Sequence, residues 1–223
     1  MFDRIAGVYD LMNTAMTAGM HHRWRERAAD LAELEPGDRA VDVCCGTGDL
    51  AFEVARRVGP AGSVVGCDFS EPMLELARRK AEERGAGQVR FEWADATELP
   101  YPDRTFDAAT VGFGARNLAD LERGVDQLLR VLKPGGRLVI LEITQPRRPP
   151  LSTFYSLWFD RIVPLLGGIA GDRAAYTYLP ESVRRFPSPM GLAELISARG
   201  FERVKYRVLA GGIIAIHSGS RPR

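Results

Sequence analysis

The chain has 223 residues, of which 45% are hydrophobic and 26% charged, with a formal net charge of +1. That composition gives a full buried core and excludes a disordered chain, and the near-zero charge removes any global case for a nucleic-acid partner. The three cysteines, Cys44, Cys45 and Cys67, are odd in number and two are adjacent, which argues against a disulfide framework, does not match zinc spacing and suits a reducing cytoplasm.

The first residues lack the apolar stretch of a signal peptide, and no apolar run reaches about 18 residues, so neither export nor a membrane span is expected. Residues 1–35 read as a helical cap, with a mixed helix from His21 to Leu34. Arg39–Val43 is a short apolar strand, Asp49–Val58 a helix and Ser63–Asp68 a second strand. The next helix runs from Ser70 to Arg84, with Ser70 as N-cap, Glu71 at the positive end of the helix dipole and Pro72 in the first turn. Val89–Trp93 and Thr105–Gly112 are further strands, Asp120–Leu132 a helix and Gly136–Ile143 a fifth strand. Such alternation predicts an α/β fold, a parallel sheet with right-handed crossovers and helices on both faces. Residues 144–188 are too many for a plain loop and carry the aromatic stretch Phe154–Leu166, so they read as a lid-like, partly helical insertion. A helix begins near Ser188-Pro189, and strands near Phe201–Val208 and Gly212–Ser218, joined at Ala210-Gly211-Gly212, close the chain as a hairpin. The whole, residues 1–223, reads as one domain.

The chemistry centres on Val41-Asp42-Val43-Cys44-Cys45-Gly46-Thr47-Gly48-Asp49. A strand feeds a Gly-x-Gly turn that opens a helix, at the strand end where open α/β sheets bind ligands. Gly46 and Gly48 allow the tight turn and a close ligand approach. Asp68 ends the next strand, where a carboxylate can accept from both hydroxyls of a ribose. Gly46-x-Gly48-x-x-Ala51 also satisfies a dinucleotide fingerprint, so the turn alone admits a nicotinamide-dependent oxidoreductase. Asp42, just before the turn, would repel a pyrophosphate and attract a cationic sulfonium and an amino group.

Trp93-Ala94-Asp95-Ala96 resembles the methyltransferase segment that holds adenine, in which Asp95 would accept from the exocyclic amine and the Ala96 amide would face a ring nitrogen. Leu132-Lys133-Pro134-Gly135-Gly136 resembles the turn before the fifth strand of the same superfamily. The resemblance implies a class I S-adenosylmethionine methyltransferase, with a Rossmann-like, mostly parallel seven-stranded sheet and an antiparallel last strand. Cys44 stands where that superfamily often has a third glycine.

Tyr9-Asp10-Leu11-Met12-Asn13, Met16-Thr17, His21 and Trp24 resemble the N-terminal signature of the ubiquinone/menaquinone biosynthesis C-methyltransferase family. Arg130–Gly136, continuing through Glu142-Ile143-Thr144, resembles its second signature. Phe113-Gly114-Ala115-Arg116-Asn117, Tyr176–Arg184 and Gly211–His217 extend the likeness over almost the whole chain. It implies S-adenosyl-L-methionine as cofactor, bound through Thr47, Asp68, Asp95 and Ala96, with Gly112 where serine is common. It also implies methylation of a ring carbon of a polyprenylated quinol. The short chain points to the demethylmenaquinone branch rather than the ubiquinone one. A non-enzymatic, cofactor-binding subunit is the third reading, against which the intact turn argues.

Alignment of carbon, methyl and sulfur, stabilisation of phenolate charge and removal of a ring proton are the tasks set by that reaction. Arg116 is the candidate for oxyanion stabilisation and Asn117 for orienting a water or the quinol oxygen; the competing account has both capping the next helix or pairing with Asp120. His217 is a candidate proton acceptor or an ordinary strand histidine. His21, Tyr176 and Tyr178 are substrate-pocket candidates, against plain packing. The aromatic stretch would suit an isoprenoid tail, and Arg147-Arg148 and Arg184-Arg185 anionic headgroups, at the inner face of the cell membrane. No metal or nucleic acid is expected, and a homodimer is left open.

Overall fold

The structure is a computed structural model and describes residue 17, residues 19–146 and residues 180–223. Its elements follow in order: helix α1 (Met20–Leu31), strand β1 (Arg39–Val43), α2 (Asp49–Val58), β2 (Ser63–Asp68), α3 (Glu71–Glu83), β3 (Val89–Trp93), β4 (Phe106–Gly112), a 3-10 turn (Ala115–Asn117), α4 (Leu121–Val131), β5 (Leu132–Ile143), α5 (Pro189–Ala198), β6 (Glu202–Leu209), a further 3-10 turn (Ala210–Gly212) and β7 (Ile214–Ser220). Residues 180–185 are also helical. Among the described residues no helix is long and apolar enough to cross a membrane.

The seven strands of the described residues form one sheet in the order β3-β2-β1-β4-β5-β7-β6. The pairs from β3 to β5 are parallel, and β7 is antiparallel to both β5 and β6. The chain starts in the middle, winds outwards through β2 and β3, then crosses back to β4, so the switch point lies between β1 and β4. In a doubly wound sheet the crevice at that point holds the ligand.

Alternation along the strands divides the core in two. Val41, Val43, Val65, Val111, Leu138 and Ile140 pack with Val125 and Leu128 of α4 and Leu192 and Ile196 of α5. Their neighbours Ala40, Val64, Ala108, Val139, Leu141 and Ile216 pack on the other face with Ala28 of α1, Leu50 and Phe52 of α2 and Leu74 of α3. Each such Val, Leu or Ile side chain contributes roughly 1.5–3 kcal/mol by leaving water, which holds the strand ends in register.

The observed bounds differ from the sequence reading chiefly at β5, which starts at Leu132. Phe106 pairs with Leu132, the ladder then shifts, and Ala108 resumes with Arg137, so the Lys-Pro-Gly-Gly segment is taken up as an irregularity within the strand. Ser70 stands at the N-cap of α3 but its hydroxyl closes no cap bond. Asp120 caps α4 itself, its Oδ1 accepting from the Arg123 amide at 2.9 Å, so Arg116 and Asn117 are not the caps of that helix. Within the lid-like insertion, residues 147–179 lie outside the described residues, as do residues 1–16 and 18 of the cap.

Candidate active site

The carboxyl ends of β1 to β4, with α1 and the start of α2, enclose a cavity of about 390 Å³. That volume falls within the range of small-molecule sites. The turn after β1 builds its floor. Cys44, Gly46 and Gly48 all have positive φ, at 57°, 54° and 85°. Cys44 therefore follows the path a glycine would take, at a strain of about 1 kcal/mol. At Gly48 an added Cβ would stand 2.5 Å from Phe91 Cζ, so only glycine lets α2 sit this close to β3.

Asp68 fastens the turn from the end of β2. Its Oδ2 accepts from the Gly46 amide at 2.9 Å and its Oδ1 from the Ser70 amide at 3.0 Å. Each carboxylate oxygen can accept more than one bond, so the carboxylate retains capacity towards the cavity it lines.

Asp42 lies below the turn with no exposed surface. The Thr110 hydroxyl donates to its Oδ1 at 2.6 Å, while Oδ2 has no hydrogen-bond partner. Burial lifts its carboxyl to about 7, against the lowering effects of Thr110 and of the Arg25 charge. A buried acceptor left open at a cavity wall is costly unless a donor arrives, and a cationic group would satisfy it.

The far end of the cavity is aromatic and open to solvent. Phe69 and Trp93 line it although both are more than half exposed, and Trp93 Nε1 donates to the Phe69 carbonyl at 2.8 Å. Asp95 Oδ1 accepts from the Thr97 amide and hydroxyl, each at 2.8 Å, and these bonds hold its carboxyl below the usual range. Both bonds end on Oδ1, so Oδ2 can take an amine. Ala96 and Gly112 also line the wall; a Cβ on Gly112 would press on Leu50 Cδ2 at 2.9 Å.

Thr47 is buried, and Lys80 Nζ donates to its hydroxyl at 2.9 Å and to Asp49 Oδ1 at 3.0 Å. Asp49 Oδ2 faces Arg25 Nη1 at 3.3 Å. Burial alone would raise the Asp49 carboxyl, but Arg25 and Lys80 outweigh it and hold it below the ordinary value. Cys44 and Cys45 carry free thiols pushed well above the normal range by burial and by the neighbouring acids.

Of the remaining sequence candidates, Asn117 reaches the cavity wall. Arg116 does not. Its Nη1 donates to Glu142 Oε1 at 2.8 Å and also to the Phe113 carbonyl, its amide donates to Glu142 Oε2 at 3.2 Å, and the pair is almost wholly buried. Arg116 thus fixes the turn that carries Asn117. His217 is buried in β7 away from the cavity; its Nε2 donates to the Pro189 carbonyl at 2.8 Å, Tyr206 stacks on it, and burial lowers its basicity. The structure gives the proton-acceptor reading no support, because the imidazole is spent on packing α5. His21 is buried outside the cavity wall, its Nδ1 2.6 Å from the Thr17 hydroxyl, so it braces α1. Tyr176 and Tyr178 lie outside the described residues.

Sequence reasoning missed Arg25 and Glu142. Glu142 sits in the second signature, after the fifth strand's apolar run, and Arg25 directly follows Trp24 of the first, but nothing in the linear pattern says that an α1 arginine reaches the β1 turn.

The sequence model of the ubiE/COQ5 methyltransferase family matches residues 1–221. A Thermus thermophilus protein named demethylmenaquinone methyltransferase is 50% identical over 223 residues, covering 100% of both chains. A Stutzerimonas stutzeri protein named ubiquinone/menaquinone biosynthesis C-methyltransferase UbiE is 42% identical, covering 100% of this chain and 88% of that one. Among solved structures, a SAM-dependent methyltransferase from Aquifex aeolicus superposes with a TM-score of 0.66 at 21% identity over 88% of each chain, a likeness of fold.

Proposed function

The chain belongs to the ubiE/COQ5 methyltransferase family, and from that premise we propose that it methylates a ring carbon of a polyprenylated quinol, demethylmenaquinol giving menaquinol, with S-adenosylmethionine as methyl donor. The observation that carries the cofactor reading is the open Oδ2 of fully buried Asp42 beneath a glycine turn. An anionic pyrophosphate would be repelled there; an ammonium or sulfonium is attracted.

When bound, S-adenosylmethionine supplies an electrophilic methyl group on a sulfonium. Asp68 would take the ribose hydroxyls. Phe69 and Trp93 would flank the adenine, with the free oxygen of Asp95 accepting from its amine and the Ala96 amide facing a ring nitrogen. Gly46, which lines the cavity, would let the donor lie against the backbone, while Gly48 faces Phe91 and serves the packing of α2 rather than the cavity wall. Asn117 would orient the quinol oxygen, and the Arg116–Glu142 pair would hold Asn117 in place. These residues work mainly by alignment, which suits an in-line displacement at a methyl carbon.

The name carried by the Thermus thermophilus relative favours the naphthoquinol; the benzoquinol of the ubiquinone route is the second reading, favoured by the name of the Stutzerimonas stutzeri relative. Offering short-chain demethylnaphthoquinol and the benzoquinol together, under reducing conditions, and weighing the products by mass spectrometry tests both. Methylated naphthoquinol as main product supports the proposal; methylation of neither overturns it. Peripheral contact with a membrane, where the prenyl tail resides, belongs to the same proposal.

A further inference from the structure

The geometry points to Arg25 as the clamp for the carboxylate of the methyl donor's amino-acid end, opposite the Asp42 oxygen that takes its amino group. This inference rests on the cofactor reading above. Arg25 is a buried guanidinium of α1 that lines the cavity. Its charge is felt at Asp42. Nη1 stands 3.3 Å from Asp49 Oδ2 as an ion pair, yet it makes no hydrogen bond and is shut off from water. The Phe113 ring lies 5.7 Å from the guanidinium carbon and closes one side.

One cavity thus presents an unused buried donor and an unused buried acceptor of opposite charge. Leaving either group open is unfavourable, and a molecule with one anionic and one cationic end on a single carbon completes both. An α-amino acid has that form. A nucleoside alone does not, and a dinucleotide offers only the anion. Asp49 balances the Arg25 charge without consuming its donor, so the guanidinium stays aimed into the site.

The test is calorimetric binding of three probes to the intact protein: S-adenosylhomocysteine, its decarboxylated analogue, and 5′-methylthioadenosine, which lacks the amino-acid end. The wild-type protein should prefer S-adenosylhomocysteine over the decarboxylated analogue by about 10- to 100-fold. Arg25→Met should abolish that preference while 5′-methylthioadenosine binds both proteins alike, and Arg25→Lys should restore part of it. A preference that survives in Arg25→Met overturns the assignment. So does equal binding of the first two probes to the wild type, a measurement that needs no variant to fold. Failure of all three probes to bind would instead sink the cofactor reading itself.

Discussion

Arg116 Nη1 lies 2.8 Å from Glu142 Oε1, joining the turn after β4 to the last residues of β5 inside the protein, with side-chain exposures of 7% and 1%. The Ile143 amide also donates to Glu142 Oε1 at 2.7 Å, and the Arg116 amide donates to Oε2 at 3.2 Å. Both carboxylate oxygens are therefore engaged. Removing one partner of such a pair leaves an uncompensated buried charge, which costs about 3–5 kcal/mol. Glu142→Gln is expected to lose most of that in urea unfolding and to lower kcat more than it raises KM. Replacing both residues by apolar ones should cost less stability than the single change, while activity stays low.

Asp68 ties the turn and faces the cavity. Asp68→Ala is expected to weaken S-adenosylhomocysteine binding by about 100-fold, the loss of two charge-assisted bonds. Calorimetry reads it directly; a change under threefold would show that the carboxylate does not meet the ligand.

The carboxyl of Asp42 is raised to about 7 by burial. A group held more basic in the fold than in the open chain binds extra protons when folded, so stability falls as pH rises from about 4 to 7, by up to about 1.4 kcal/mol per unit. Asp42→Asn should flatten that part of the urea-midpoint profile. A ligand with an ammonium group should reverse the trend, since it favours the ionised form.

His217 shifts the other way. Burial lowers its basicity, so its contribution to stability is present above about pH 6.5, its value in the open chain, and is lost as the pH falls below it. His217→Asn is expected to leave the pH profile of kcat unchanged while lowering the unfolding midpoint; a displaced kinetic limb would return the imidazole to the reaction.

Cys44 occupies left-handed backbone, with φ at 57°. Cys44→Gly should cost less than about 1 kcal/mol or add stability, and Cys44→Val should lose about 1–2 kcal/mol, because a β-branched side chain is a true outlier there. Thermal unfolding of the two variants compares them.

The sheet was legible because its strands are apolar runs bounded by glycines and helices, and every observed strand lies within a few residues of its sequence-based bounds. The acids at the ends of β1, β2 and β3 were legible for a related reason: the topology brings those ends to one edge. The roles of Arg116 and His217 were not, since a sequence shows charge and titration but not the partner that consumes them. Glu142 lies far along the chain from Arg116, and Pro189 from His217, and each pair meets only in the fold. Arg25 escaped for the same reason, as its reach depends on how α1 lies over α2.

The paired thiols of the floor look, on paper, like the chain's most oxidant-sensitive spot. Thiolate is the form that peroxide and alkylating reagents attack, and burial, reinforced by the acids that would welcome a cationic donor, keeps Cys44 and Cys45 protonated. A floor acidic enough to attract a cation is thus also one in which a thiol keeps its proton, so two cysteines can line the cavity without becoming its nucleophiles.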